Sequence, residues 1–529
     1  MYVTKIEAAK EQIIIRLDGA EAGRAVVRET VPVISEKLGR TLSIAEYEVI
    51  NGAIRLDRFD GAHDRLFSEF SILSGNRRAD GIRYVTDIAD DVPENRAPYP
   101  QPSTIMAVGG SPEDIRLFGS KQGGMNINLP AIMTAMPGDD NIPYEHCGRV
   151  YWFLKDKISE LDSQMREMDE LDLTVFFILL NSPKHFNPTG EQALLDACLH
   201  PKFDSGYHDA FISAFDMRTE EGQGYFRAFC EFLAERYARE DRKNGRLTGF
   251  VVSNEVDSQY VWGNAGEMTV EDYTLEYTQA LRLAWLCSRK HCAHFRVYIS
   301  VDHLWTVSHK PAQPLRYYPV RKVLDCVNEF SIRDGNFPWH VAHHPYPEDL
   351  SWPDFWHDRA ANFTFNTQKI TFRNLEVLPA YLAQKHMLYN GERRRIILSE
   401  QGFNSQGGPL AEMTEKMGEA GFVLAYLKAR NTGAIDLFTH NGYVDNPHEF
   451  GLNLGIRRYD PSKPGNVGDP KPIYYAVCDM ETDCEAERVA RAREYIGTEL
   501  FDYLLNTPEV TEGRDPGAPS DFGSSFADG

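Results

Sequence analysis

Two hydrophobic patterns alternate along the chain from about residue 104 to residue 505. Short, unbroken apolar runs indicate buried strands, and apolar residues spaced three or four apart indicate one face of an amphipathic helix. The clearest strand is 174–181, and the clearest helical spacing joins Leu154, Ile158 and Leu161. Together the patterns predict eight strands that alternate with eight helices, which is the arrangement of a (β/α)8 TIM barrel in the α/β class.

The strands are predicted at 104–108, 124–129, 174–181, 250–252, 296–302, 339–344, 395–398 and 434–439. The helices are predicted at 112–118, 154–168, 226–237, 269–285, 320–330, 375–389, 410–427 and 483–503.

The remaining sequence lies on either side of the predicted barrel. Residues 1–103 contain short strand-like runs such as 12–17, separated by Gly and Asp turns, and indicate a β-rich, sandwich-like accessory domain. A structural role is expected for this domain rather than a sugar-binding role, because a sandwich-like fold does not by itself indicate a binding function. Residues 506–529 are rich in Pro, Gly, Ser and Asp and are predicted to be a disordered tail.

Composition and charge narrow the class of partner. The net charge of −22 disfavours nucleic acid, whose phosphates require basic surfaces, and favours a neutral partner such as a carbohydrate. No apolar run approaches the roughly 20 residues of a membrane span, so no membrane partner is expected. The N-terminus lacks the apolar region of a signal peptide, which predicts a cytoplasmic protein, or a secreted or periplasmic one if a leader has been removed. The sequence does not predict the oligomeric state.

The eight cysteines are scattered, with no Cys-x-x-Cys pair. They are therefore predicted to be buried thiols rather than a disulfide framework or a zinc site.

Two carboxylates end apolar strands of the predicted barrel. Glu255 follows the fourth strand, and Glu400 follows the seventh. Parallel strands place both residues on the C-terminal face, where such barrels carry their sites. Long segments after five strands, at 130–152, 182–220, 304–319, 345–368 and 440–480, are predicted to wall this face. The pair indicates two catalytic acids, and the structural alternative is a strand-end salt bridge.

The strand-end residues resemble a known group of enzymes. Asn254-Glu255 after strand four, with Glu400 after strand seven, is similar to clan A of the retaining glycoside hydrolases, and His344-Pro345-Tyr346 resembles a His-x-Tyr motif of cellulase-like members. The whole chain also resembles a bacterial family described as a domain of unknown function. Strand eight ends in Thr439-His440-Asn441, where many clan members have Trp, and this departure leaves the identity of the sugar open.

The clan resemblance implies a retaining glycoside hydrolase acting on a β-linked oligo- or polysaccharide. Glu255 would be the acid/base and Glu400 the nucleophile, in a double displacement that requires carboxyl groups about 5–5.5 Å apart. Asn254 would contact the sugar 2-hydroxyl, and Tyr346 would orient Glu400. No cofactor and no metal are expected.

Further polar and aromatic residues follow the predicted strands and are candidates for binding the substrate. Each has a structural alternative, either a satisfied polar group or a packed aromatic ring. They are Asn126, Asn181, Asp302, His344, His440, Asn441, Trp262 and Trp305.

Two other functions remain open. His and Asp at several strand ends would also suit a metal-dependent barrel hydrolase, although no His-x-His follows strand one. A non-catalytic carbohydrate-binding barrel would use the aromatic residues but needs neither glutamate.

Overall fold

The computed structural model describes residues 1–34, 39–74, 77–93, 95–100, 104–183, 191–506 and 509–512. The chain forms two compact units that interleave along the sequence. The first contains Met1–Gln101, Gly124–Ser300 and His309–His340, and the second contains Pro102–Gly123, Val301–Ser308 and Val341–Gly529. Most of the predicted disordered tail, 506–529, lies outside the described residues, so this interpretation stays a prediction.

The N-terminal region is β-rich, as the sequence predicts. Its strands are β1 (Tyr2–Ala8), β2 (Gln12–Asp18), β3 (Gly23–Thr30), β4 (Thr41–Val49), β5 (Ala53–Asp57), β6 (Phe59–Asp60), β7 (His63–Asp64), β8 (Glu69–Ser74), β9 (Arg77–Arg78), β10 (Asp80–Gly81) and β11 (Asp87–Ile88). One sheet has the order β10-β1-β2-β5, and another has the order β4-β3-β8-β9. In β2, Ile13, Ile14, Ile15 and Leu17 are buried, whereas Arg16 and Asp18 are exposed, so the alternation of a strand with one face in a core appears only in its second half.

The strands that follow are β12 (Met106–Val108), β13 (Gln122–Asn128), β14 (Met133–Thr134), β15 (Asn141–His146), β16 (Arg149–Leu154), β17 (Thr174–Leu180), β18 (Leu247–Val252), β19 (Arg296–Val301), β20 (Trp339–His343), β21 (Ile396–Leu398), β22 (Ile435–His440), β23 (Arg457–Tyr459) and β24 (Val467–Pro470).

Eight of these strands form a single sheet that confirms the predicted barrel fold. Its order is β12-β22-β21-β20-β19-β18-β17-β13, so the first strand lies beside the eighth and the others follow their sequence order. The pairs β12–β22, β17–β18, β18–β19, β20–β21 and β21–β22 are parallel. Strands such as β18 are buried on both faces, which explains their continuous apolar sequence.

Helices alternate with these strands. They are α1 (Pro112–Leu117), α2 (Leu129–Ile132), α3 (Lys155–Glu170), α4 (Gln192–Cys198), α5 (Glu220–Tyr237), α6 (Gln259–Trp262), α7 (Val270–Arg289), α8 (Val320–Asp334), α9 (Val377–Leu382), α10 (Ala411–Asn431), α11 (Pro472–Asp479), α12 (Glu485–Ile496) and α13 (Thr498–Leu505). None of the helices in the described ranges is long and apolar enough to span a membrane.

Three sequence predictions differ from the structure. The segment 130–152 contains a three-stranded antiparallel sheet, β14-β16-β15, instead of an irregular loop. The helix predicted at 375–389 is reduced to α9, and three-residue turns follow it, in which the Gln384 N–H donates to the Tyr381 carbonyl and the Met387 N–H to the Gln384 carbonyl. The helix predicted at 483–503 is two helices, because Gly497 has a φ of 96°, which a continuing helix cannot contain.

Candidate active site

The chain after β18 turns sharply at Ser253 and Glu255, which have φ angles of 66° and 35°. Residues other than glycine pay a conformational cost in this left-handed region, and such residues cluster at functional sites. Hydrogen bonds hold the turn in place. The Ser253 hydroxyl donates to the Trp262 carbonyl at 3.0 Å, and the Glu255 N–H donates to the Ser300 hydroxyl oxygen at 3.0 Å.

The same turn positions an aromatic surface in the first unit. Trp262 is half-buried at the end of α6 and stacks on Phe211, with ring centroids 5.1 Å apart and planes inclined by 23°. Asn254 and Glu255 are also half-buried. The hydrogen bond from the Ser253 hydroxyl to the Trp262 carbonyl connects the backbone at the end of α6 to the turn that carries Asn254 and Glu255.

Glu400 lies in the second unit, two residues after β21, and 31% of its side chain is exposed. The Tyr346 hydroxyl donates to Glu400 Oε1 at 3.1 Å. His344 Nδ1 is 4.0 Å from Glu400 Oε2, while its Nε2 is 3.1 Å from the Ser399 hydroxyl oxygen. The two residues that the His-x-Tyr motif singles out therefore both lie at this carboxylate.

Asn441, after β22, joins the same cluster. Its side-chain amide lies 3.5 Å from the Tyr346 hydroxyl, and its backbone N–H donates to the Gln401 carbonyl at 2.7 Å. The ends of β20, β21 and β22 thus meet around Glu400.

Asp302 follows β19 and forms an ion pair with His303, with Asp302 Oδ1 2.5 Å from His303 Nδ1. Burial alone would raise the pKa of Asp302, but the charge and hydrogen bonds of His303, together with the charge of His344, lower it to about 2. Asp302 is therefore an anion at neutral pH.

Three other predicted site residues are buried and hydrogen-bonded to backbone carbonyls. The Asn181 amide donates to the carbonyls of Cys198 and Ala214, Trp305 Nε1 donates to the Phe365 carbonyl, and His440 Nε2 contacts the Leu454 carbonyl. Trp305 also packs edge-on against Tyr381. Asn126, by contrast, is exposed on β13. Contacts of these four residues with a substrate stay predictions.

Several residues that hold the strand ends in place were not among the predicted site residues. They are Ser253, Ser300 and Ser399, which bond to the turn after β18 or to His344, and Phe211, which supports Trp262. Each of the three serines lies within two residues of a strand end, and this position in the sequence could have indicated that they belong to the site.

Buried neutral histidines predict a pH-dependent stability. Burial lowers the pKa of His440 to about 4, although the hydrogen bond with the Leu454 carbonyl opposes this shift. An unfolded histidine has a pKa near 6.5, so the unfolded chain binds the proton more readily and stability falls as pH decreases below about 6.5. Between pH 7 and pH 5 this histidine is expected to cost about 2 kcal/mol of unfolding free energy.

The measurement is urea unfolding at both pH values. Wild type and the exposed-residue control His448→Gln should lose about 2 kcal/mol more than His440→Gln, which cannot titrate. An equal pH dependence in all three proteins would contradict the assignment.

The sheet order and the strand-end residues define this chain as a (β/α)8-barrel protein. Residues 104–503 match the model of a family described as a family of unknown function, DUF5722, and the chain belongs to that family. This match agrees with the resemblance to a domain of unknown function noted from the sequence.

Solved structures with a similar fold include Fpglu1 and two β-glucosidases. Fpglu1 from Fervidobacterium pennivoraus is 15% identical, with a TM-score of 0.46 over 74% of this chain and 86% of that one. A hyperthermophilic β-glucosidase from Pyrococcus furiosus is 12% identical, with a TM-score of 0.45 over 73% and 87%. A family 1 β-glucosidase from Thermotoga maritima is 12% identical, with a TM-score of 0.41 over 72% and 85%. No curated protein matches the sequence.

Proposed function

We propose that this protein is a retaining glycoside hydrolase that cleaves a β-linked oligo- or polysaccharide. Glu400 is the nucleophile and Glu255 is the acid/base. The observation that carries the proposal is the hydrogen bond from Tyr346 to Glu400 at the end of the seventh strand, because it orients one carboxylate oxygen of a partly exposed glutamate. Glu255 supplies the second carboxyl group at the end of the fourth strand of the same sheet.

The two glutamates have different tasks in such a reaction. Glu400 attacks the anomeric carbon and forms a glycosyl ester, while Glu255 donates its proton to the departing oxygen. Glu255 then accepts a proton from a water molecule. The water oxygen attacks the anomeric carbon and releases the sugar from Glu400.

The surrounding residues suit the binding of a sugar. Asn254 precedes the proposed acid and carries an amide that can bond to a sugar hydroxyl. Trp262 offers an indole face, held by Phe211, on which a pyranose ring can stack. Asn441 supports Tyr346 from the neighbouring strand end.

Release of reducing sugar from a panel of β-linked glucans, galactans, mannans and xylans tests the proposal. Wild type is expected to hydrolyse at least one of these glycans, and Glu255→Gln and Glu400→Gln are each expected to lose at least about 10²-fold in rate. Glu412→Gln is the matched control, because Glu412 is 83% exposed on α10. Wild-type activity in either site variant would overturn the proposal.

The same panel separates the two alternatives. Binding of a glycan without hydrolysis would indicate a carbohydrate-binding barrel. Hydrolysis that a chelator abolishes, with both glutamates dispensable, would indicate a metal-dependent hydrolase.

Tyr346→Phe tests the orientation of Glu400. The variant removes one hydrogen bond to a charged group, worth about 1.5–3 kcal/mol, so kcat should fall roughly 10- to 100-fold while KM changes little. Steady-state kinetics on the best glycan measure both values. Tyr459→Phe, at a tyrosine 40% exposed on β23, is the matched control. An unchanged kcat in Tyr346→Phe would contradict a positioning role.

A further inference from the structure

A second reactive cluster lies in the first unit, at the turn between β15 and β16. Cys147 occupies this turn with a φ of 48° and is half-exposed. Its side chain lines a cleft of about 420 Å³, together with His63, Phe67, Arg149 and Arg227. The thiol is therefore open to small molecules in a cleft that carries basic groups and also two glutamates, Glu220 and Glu221, which pair with Arg40 and Arg149.

Two histidines flank the thiol, and each is held by a carboxylate. His63 Nε2 is 3.2 Å from Glu29 Oε1, and it also contacts the Ser68 hydroxyl at 2.8 Å. His146 Nδ1 is 2.9 Å from Glu231 Oε2. A carboxylate beside each ring favours the protonated imidazole, and positive charge near Cys147 favours its thiolate.

The burial of His146 reinforces this arrangement. The residue is 3% exposed, and among the described residues its Nε2 has no nitrogen or oxygen partner. Burial opposes protonation of this imidazole, but its interactions with Cys147, the next residue in the chain, and with Glu231 raise its pKa.

The charges stabilise a thiolate. Burial alone would raise the pKa of Cys147, but hydrogen bonds with His146 and His63 and the charges of His146 and Arg227 lower it to about 5. Burial likewise opposes protonation of His63, yet the contacts with Cys147 and Glu29 raise its pKa to about 9. At neutral pH the pair is thus a thiolate beside an imidazolium.

The other cysteines differ in this respect. All eight are free thiols, and five are buried, as the sequence predicts. Burial raises the pKa of Cys198 to about 12 and that of Cys478 to about 11. Cys484 is exposed and serves as an internal reference.

We propose that Cys147, His63 and His146 form a redox-reactive thiolate site, at which small hydroperoxides that enter the cleft oxidise the sulfur to a sulfenic acid. The thiolate sulfur attacks one peroxide oxygen, so the S–O bond forms as the O–O bond breaks. Sulfur loses two electrons and the peroxide gains them. The His63 imidazolium gives its proton to the leaving oxygen, which departs as water from hydrogen peroxide or as an alcohol from an organic hydroperoxide.

Alkylation by iodoacetamide, followed by peptide mapping of the full chain, tests the thiolate. Between pH 6 and pH 8, the alkylation rate of Cys147 should change by less than about twofold. The rate at the thiol of an unstructured cysteine peptide, alkylated in parallel, should rise roughly seventyfold as its thiolate form increases. A pH profile of Cys147 that parallels the profile of the peptide would overturn the proposal.

Histidine variants test the activation. In His63→Asn and in His146→Asn, alkylation of Cys147 should become pH-dependent and rise at least about fivefold between pH 6 and pH 8. His448→Asn, at an exposed loop residue, should keep the wild-type profile. The more exposed His63 keeps the test informative if the buried His146 variant fails to fold. A flat profile in a folded His63→Asn variant would remove His63 from the site.

The oxidation is tested with hydrogen peroxide and a dimedone probe. One adduct is expected on Cys147, absent in Cys147→Ser and prevented by a low-molecular-weight thiol added before the probe, because the thiol reduces the sulfenic acid. An adduct on Cys484 alone, or no adduct, would overturn the redox role. Neither result bears on the glycosidase proposal, because the cluster shares no residue with Glu255 or Glu400.

Discussion

Incubation with a 2-deoxy-2-fluoro glycoside that carries an activated aryl leaving group is expected to inactivate the protein and to leave one covalent sugar per chain, on Glu400. The fluorine withdraws electrons from the anomeric centre and slows both displacements, because both pass through oxocarbenium-like transition states. The activated leaving group restores the rate of the first displacement but not the rate of the second. The glycosyl ester therefore accumulates on the nucleophile.

Peptide mapping by mass spectrometry locates the label. A set of gluco-, galacto-, manno- and xylo-configured reagents is required, because the resemblance leaves the sugar open, and the reagent that labels fastest identifies the sugar. Glu400→Gln should carry no label, whereas the exposed-residue control Glu412→Gln should be labelled like wild type. A label on Glu255 would reverse the two assignments. Catalytic turnover of the reagents without a label would exclude a covalent mechanism.

The barrel could be predicted from the sequence because its strands are buried on both faces. β17 and β18 are largely continuous apolar runs, and polar residues such as Ser253 begin where the strands end. The positions of Glu255 and Glu400 followed from this change in polarity. Local signals failed where the backbone conformation decided the structure, as at Gly497, whose φ of 96° divides a helix that apolar spacing alone would continue.

The hydrogen-bond partners of the strand-end residues were less predictable. Asn181 bonds to the carbonyl of Ala214, and His440 bonds to that of Leu454. Backbone carbonyls are present at every position, so residue types do not reveal which of them a side chain will find across an intervening loop. The Tyr346–Glu400 contact was predictable because it depends on two side chains that a short motif and a strand end identify independently.

Glu255→Gly is expected to lower kcat on a natural glycan by about 10²- to 10⁴-fold, the usual contribution of a general acid. The loss should be much smaller for the first step with a dinitrophenyl glycoside, since its leaving group departs without protonation. Glycine suits the backbone at this position, where φ is 35°, and so removes the carboxyl group without adding strain. A burst of dinitrophenol followed by slow turnover is the expected kinetic signature, because the missing group is also the base of the second step.

Azide distinguishes the roles of the two glutamates. In Glu255→Gly it should restore turnover by attacking the glycosyl ester and giving a glycosyl azide of retained configuration, because small anions need no general base. In Glu400→Gly the same anion should replace the nucleophile and give the inverted glycosyl azide. NMR of the products assigns the configuration. Retained azide from the Glu400 variant would contradict Glu400 as the nucleophile. Equal losses on both leaving groups in the Glu255 variant would contradict Glu255 as the proton donor, because only a donor to the departing oxygen makes the rate depend on that oxygen's basicity.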